Sequence, residues 1–251
     1  MSKRRAPEAA PDAGSPRTLI ELVYTRMRDD IVEGHLAPGE KLRIEHLRLR
    51  YGVGAGTLRE AVTRLVSDAL VEAEGQRGFR VTTISLADLA DLTELRLHIE
   101  LDALRESIRL GGATWRAQLQ QAFEALDSCP ITPQTRKRWE ALNVRFHEVL
   151  ISGRPSAWTL RVWRVLARHG ERYRRVAIAL LPTQHRDVVG EHRQIYEAAL
   201  DGNEARAALA LEAHIRATYD VLLRAGSLPA QAEVRETAPL RRALGHDGTV
   251  T

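Results

Sequence analysis

The stretch that most constrains this chain is residues 38–81, PGEKLRIEHLRLRYGVGAGTLREAVTRLVSDALVEAEGQRGFRV. Pro38-Gly39 is a turn signal that closes a preceding helix. Ile44, Leu47 and Tyr51 recur at helical spacing, so residues from about Arg43 to Tyr51 form a short helix with one apolar stripe. Gly52-Val53-Gly54-Ala55-Gly56 is a tight turn, after which Leu58, Ala61, Val62, Leu65, Val66, Ala69 and Leu70 repeat as a second helix. Two short helices joined by a small turn make a helix-turn-helix. Residues 70–74 and 78–81 then read as two short strands around Gly75-Gln76-Arg77, a hairpin wing with Arg77 at its tip. From Lys41 to Arg59 there are five basic residues (Lys41, Arg43, Arg48, Arg50, Arg59) against the one acidic Glu45, an excess that suits a phosphate backbone.

Helix spacing and a glycine turn alone also fit a helical pair in an ordinary core, with its arginines solvated. The wing and the order of residues favour the nucleic-acid reading. The segment resembles the winged helix-turn-helix head of the GntR family of bacterial transcription regulators. The resemblance is carried by Gly34-x-Leu36-x-Pro38-Gly39-x-Lys41-Leu42, Leu47, Gly52-Val53, Leu58-Arg59-Glu60-Ala61-Val62-x-Arg64-Leu65, Leu70-Val71 and Gly75-x-Arg77-Gly78-x-x-Val81. It implies contacts to double-stranded DNA from Arg43, Thr57, Arg59 and Arg77, with Gly56 and Gly78 beside them. One departure is Ala55, which stands where the family usually has an arginine, so one common DNA contact is absent and Arg59 is retained.

The remainder of the chain is expected to be helical. Residues 1–16 are rich in Ala, Pro and charge and read as a disordered arm. A helix is expected from about Arg17 to Glu33, with Leu19, Leu22, Val23, Met27 and Ile31 inward, completing a head over 17–84. Ser85 is a candidate N-cap. Beyond it, turns at Gly111-Gly112, Cys129-Pro130, Gly153-Arg154-Pro155, Leu181-Pro182 and Asp201-Gly202 divide residues 85–226 into six helices: about 85–110, 114–128, 133–152, 156–181, 183–201 and 203–225. The fold class is therefore mainly α, a winged helix-turn-helix with a small β-hairpin followed by an all-α bundle of six or seven helices. Residues 227–251 read as a disordered tail. Of the 251 residues 44% are hydrophobic and 28% charged, a soluble globular balance, and a net charge of +4 does not by itself demand nucleic acid. The single cysteine, Cys129, excludes an intrachain disulfide, and neither a transmembrane run nor a signal segment is visible, so a cytoplasmic protein without a membrane partner is expected.

One constellation in the bundle has chemical content. Asn143 and His147 share a helix face at i,i+4, and His192 and His214 fall on the fifth and sixth bundle helices between apolar neighbours. Three imidazoles and an amide oxygen can ligate a divalent metal and leave a position open. From spacing alone the more ordinary reading is that of satisfied core histidines. The basic helix bearing Arg161, Arg164, Arg168, Arg172, Arg174 and Arg175 reads as a solvated face with some arginines turned toward a pocket.

The bundle also resembles the ligand-sensing C-terminal domain of the FadR subfamily of GntR regulators in its metal-binding form. That form has an Asp/Asn-x-x-x-His pair followed by one histidine on each of two later helices, matched here by Asn143, His147, His192 and His214. The resemblance implies Zn²⁺, or alternatively Ni²⁺, at these four residues. It also implies a small carboxylate effector that meets Arg96 of Arg96-x-x-x-Glu100, a homodimer, and a palindromic operator whose affinity the effector controls, most often by repression. Asn143 stands where many members have aspartate, which removes a charge from the ligand set. Two other readings stand beside this one. The first is a constitutive DNA-binding protein with a structural or vestigial metal site. The second is a metal-dependent hydrolase, for which Glu148 and Glu191 are poorly placed as bases because each adjoins a ligand on its own helix.

Overall fold

The computed structural model describes residues 18–75, 78–184 and 186–231, and it divides into two compact units that meet between Thr82 and Thr83. The expected disordered arm and most of the expected tail lie outside the described residues.

The first unit opens with α1 (Leu19–Val32), capped by Thr18, whose Oγ1 accepts from the Glu21 N–H at 3.1 Å. Its inward stripe is Val23, Met27 and Ile31; Leu19 and Leu22, expected inward, are exposed. The stripe repeats every four residues and so drifts around the helix, which turns the first turn away from the core. Next come α2 (Ile44–Tyr51) and α3 (Ala55–Ser67), with Gly52 in the left-handed conformation between them at φ 66°. Helix α3 starts two residues earlier than the apolar pattern suggested, which moves Arg59 into its second turn. It buries Leu58, Ala61, Val62 and Leu65 and exposes Gly56, Arg59, Glu60, Thr63, Arg64 and Ser67 on the other side. Each fully buried leucine here stabilises the unit by about 1.5–3 kcal/mol relative to exposure. The helix ends in a Schellman arrangement, with Leu70 N–H on Leu65 O and Ala69 N–H on Val66 O. Ala69 takes the left-handed position at φ 55°, where glycine is usual, at a cost of about 1 kcal/mol.

The wing has three strands rather than two. Strands β2 (Val71–Ala73) and β3 (Phe79–Val81) pair antiparallel, and β1 (Lys41–Leu42) adds to the far edge of β3, with Lys41 opposite Arg80 and Leu42 opposite Phe79. Two residues are too few to show alternation, so β1 had no signature in the sequence. Arg80 donates to Glu74 at 2.6 Å and to the Gly39 carbonyl at 2.6 Å, which fastens the hairpin to the turn before β1.

The second unit holds the six expected helices: α4 (Leu86–Leu110), α5 (Ala113–Asp127), α6 (Arg136–Leu150), α7 (Ala157–Gln184), α8 (Val188–Leu200) and α9 (Glu204–Ala225). Helix α4 packs against α9 and α7, and α5 against α6 and α8. The Trp115 indole N–H donates to Val149 O at 2.8 Å, locking α5 to α6. Ser85 caps α4 as expected, its Oγ accepting from Asp88 N–H. Three boundaries differ from expectation by three residues or more, one of them the start of α8, which is at Val188 rather than about 183. Helix α6 begins at Arg136 because the Thr132 and Thr135 hydroxyls hold a preceding turn. Helix α7 continues through Pro182 to Gln184, since a proline in a last turn removes only one donor near an end that is already losing its ladder. The start of the tail is also ordered, contrary to expectation. Pro229 O and Ala230 O accept from Leu86 N–H and Ala87 N–H, which satisfies first-turn donors of α4 that have no partner within the helix.

Candidate DNA-contacting surface and candidate metal centre

On the first unit, Arg43, Gly56 and Arg59 are exposed and Thr57 is half-buried in the first turn of α3. Gly78 carries a positive φ of 98° at the wing connection, and Arg77 lies outside the described residues. The five basic residues of this segment separate into two groups. Arg48 is held by Glu45 at 3.0 Å, and Arg50 by Asp30 at 3.0 Å with the Tyr51 hydroxyl on the same carboxylate. Lys41, Arg43 and Arg59 make no side-chain hydrogen bond or ion pair among the described residues. An unpaired guanidinium keeps its donors for a phosphate or a base edge, whereas Arg50 spends its donors holding α2 to α1.

In the second unit, α6 supplies Asn143 and His147, α8 supplies His192 and α9 supplies His214, all four buried. The i,i+4 spacing on α6 puts Asn143 and His147 on one inward face. The three imidazoles converge, with ring centroids 5.4 Å (His147–His192), 5.1 Å (His147–His214) and 4.5 Å (His192–His214) apart and one ring nitrogen from each within 4.8 Å of the others. Phe146 walls the cluster, meeting His147 and His192 edge-on. Burial lowers the proton affinity of all three histidines; the neighbouring histidines and arginines lower it further at His147 and His214, while at His192 Glu191 opposes the shift and Arg186 and Arg174 add to it. His192 falls to about 4, while His147 and His214 lie well below the ordinary imidazole value. The rings are therefore neutral at pH 7, and each has a lone pair to offer.

Asn143 Oδ1, His147 Nδ1, His192 Nε2 and Glu100 Oε2 are buried without a hydrogen-bond partner. Unsatisfied buried polar atoms are costly and uncommon, and these belong to two of the converging histidines, to Asn143 one turn before His147, and to Glu100, whose Oε2 lies 3.9 Å from His147 Nδ1. A divalent cation fits this set: neutral imidazole nitrogens and an amide oxygen are its ordinary ligands. His214 is oriented from outside the cluster, its Nδ1 lying 2.7 Å from Glu191 Oε2, which leaves Nε2 for the interior. Arg186 grips Glu191 through two parallel contacts of 2.8 and 2.7 Å and also donates to the His214 carbonyl and the Thr218 hydroxyl. Glu191 therefore acts across helices on His214, a role hidden from a reading that considered only its neighbour His192.

Arg96 lies on α4 with its Nε 2.7 Å from Glu100 Oε1, and the other oxygen of Glu100 is 3.9 Å from His147 Nδ1. Far from being a solvated surface pair, Arg96 is 11% and Glu100 0% exposed. Two further half-buried groups went unsingled in the sequence: Arg174 on α7, ion-paired with Glu140 of α6, and Arg186 in the α7–α8 connection. Arg174 was one of six arginines on its helix, and only packing distinguishes it from exposed Arg161 and Arg164.

A winged helix-turn-helix with the free cations Lys41, Arg43 and Arg59, joined in one chain to a helical bundle with a buried histidine cluster, defines a transcriptional regulator. Residues 19–81 match the model of the bacterial regulatory proteins of the gntR family, and residues 91–217 match the FCD domain. The chain belongs to the GntR family, in the branch that carries an FCD domain. It is 40% identical over 219 residues to the HTH-type transcriptional regulator BphR of Paraburkholderia xenovorans (strain LB400), covering 84% of this chain and 88% of that one. It is 27% identical over 212 residues to the HTH-type transcriptional repressor GlaR of Escherichia coli (strain K12), covering 80% and 94%. Its fold matches a GntR transcriptional regulator of Rhodococcus sp. RHA1 with a TM-score of 0.64 at 21% identity, over 82% of this chain and 98% of that one. No helix among the described residues is long and apolar enough to cross a membrane.

Proposed function

We propose that this chain is a cytoplasmic, homodimeric repressor whose affinity for a palindromic operator is controlled by a small carboxylate bound beside a Zn²⁺ or Ni²⁺ ion held by His147, His192, His214 and Asn143. The observation that carries the reading is the cluster of three neutral imidazoles and an amide oxygen with unspent lone pairs in the centre of the bundle. Its relatives include proteins named as repressors, among them GlaR and a D-xylose utilization operon repressor of Paenarthrobacter nicotinovorans. In this reading Arg43, Thr57 and Arg59 engage DNA, with Arg77 and Gly78 reaching it from the wing. Arg96 meets the carboxylate. An ion held by these residues would supply Lewis acidity for an effector oxygen. Glu191 holds His214 in the tautomer that faces the ion. Effector and operator are linked reciprocally, so an effector that releases DNA must bind less tightly to the DNA-bound protein.

The test combines metal analysis with operator binding. Purified protein should carry about one metal per chain, and His147→Ala and His192→Ala should each lose it. An operator selected from random-sequence DNA should be released by carboxylates from wild type and not from either variant. A wild type that takes up neither Zn²⁺ nor Ni²⁺ would sink the metal reading. An operator complex indifferent to every carboxylate tried would point instead to constitutive DNA binding.

A further inference from the structure

The cations around the histidine cluster are arranged unevenly. Arg186 is fully engaged, by Glu191, Thr218 and the His214 carbonyl. Arg96 and Arg174 are not. Arg96 gives only its Nε, to Glu100; Arg174 gives Nε and Nη2, to Glu140 and the Ala167 carbonyl. Among the described residues no hydrogen bond reaches either Nη of Arg96 or Nη1 of Arg174.

These free ends meet at one place, over Gly170. A Cβ on Gly170 would lie 2.8 Å from Arg174 Nη1 and 3.6 Å from Arg96 Nη1. Two guanidinium ends from different helices, α4 and α7, therefore converge on the same small space. Each side chain is only 11% exposed, and each is fixed from behind by its own carboxylate. Glycine in the middle of a 28-residue helix costs about 1 kcal/mol relative to alanine, so an interior glycine calls for a local reason. Here the reason is room: Arg174 folds back along its own helix across residue 170, and any side chain there would push its guanidinium aside. Like charges brought together with donors unspent form an anion clamp, since guanidinium is the group that recognises a carboxylate in planar, paired fashion.

We propose that Arg96 and Arg174, with the gap kept by Gly170, form a second anionic subsite beside the histidine cluster, so that the effector is a compact dianion with one carboxylate at the cluster and the other in the clamp. This rests on the reading of the cluster as a carboxylate-binding metal site and adds to it a requirement for a second charge. Three charged pairs surround the cluster (Arg96–Glu100, Arg174–Glu140 and Arg186–Glu191) and cancel one another. Three neutral histidines and a divalent ion would leave the site with two positive charges, which a dianion balances and a monoanion does not.

Calorimetric titration of the full-length Zn²⁺-loaded chain tests this, using malonate, succinate, glutarate and adipate, each against the monocarboxylate of equal carbon number. At least one diacid should bind about tenfold or more tightly than its partner, the scale of one added charge-assisted contact pair. Gly170→Ala and Arg174→Lys should reduce that ratio to about threefold or less, with metal content measured in each to show the cluster intact. Alanine displaces only the flexible end of Arg174, so the variant should fold; Arg174→Lys keeps the charge beside Glu140 while removing the planar fork. Exposed Arg161→Ala on the same helix should leave the ratio unchanged. Equal binding of diacids and monoacids to wild type, or a preference that survives both variants, would overturn the second subsite while leaving the carboxylate reading standing. Failure of both kinds of acid to bind the metal-loaded chain would overturn the carboxylate reading and the subsite together.

Discussion

Among the described residues, every buried side chain from Val23 to Val81 is of the apolar or aromatic class, whereas ten buried residues from Ser85 to His214 are polar or charged. The first unit keeps the residues proposed to contact DNA, Arg43 and Arg59, on the outside and gives its interior wholly to packing. The second unit carries the proposed metal ligands inside, where each unpaired polar atom costs free energy unless something answers it. Both units rest on hydrophobic clusters, and the contrast teaches that the body alone also buries polar groups at its centre. The head is a self-sufficient hydrophobic core. The body adds polar groups whose cost the proposed cation and anion would offset, so in that reading ligand binding raises its stability.

The largest effect that would sharpen this contrast comes from the head. Leu65→Ala should destabilise the first unit by about 2–5 kcal/mol through lost burial and a residual cavity. All four tryptophans lie in the body, so their fluorescence follows that unit alone, while circular dichroism follows both. Denaturation should then show an early circular-dichroism step with the tryptophan transition unmoved. A joint shift of both signals would break the picture of separable cores. A smaller effect is expected from Arg59→Ala, which should weaken operator binding about ten- to a hundredfold and flatten its salt dependence, with the melting curve unchanged because the exposed Arg59 side chain makes no hydrogen bond or ion pair among the described residues. Unchanged operator affinity in a folded variant would remove Arg59 from the contact surface. Smallest of the three, Glu191→Gln should lower metal affinity about tenfold, measured by competition with a chelator, since the amide holds His214 less strongly than the carboxylate does. If affinity is retained in the glutamine variant, His214 is positioned by packing alone.

The head was legible because its information is local. Apolar spacing within α2 and α3, the glycine turn, and the glycines flanking the wing tip each lie within a few residues of what they determine. The misses there, strand β1 and the outward Leu19 and Leu22, are elements too short or too near an end for periodicity to register. In the body the six helices were readable from their turns, and Pro182 misled because proline interrupts a helix interior far more than a last turn. The tail's first residues were misread as disordered because two carbonyls capping α4 leave no compositional trace.

The sequence by itself determined the helix-turn-helix, the helix count of the body and the shared face of Asn143 and His147, since all follow from residue spacing along one chain segment. Packing between helices decided that His192 and His214 meet His147, that Glu191 serves His214, and that Arg174 reaches across Gly170 toward Arg96. Those outcomes depend on how helices from distant parts of the chain rotate and cross, and a single guanidinium's direction is settled by the partners packed around it.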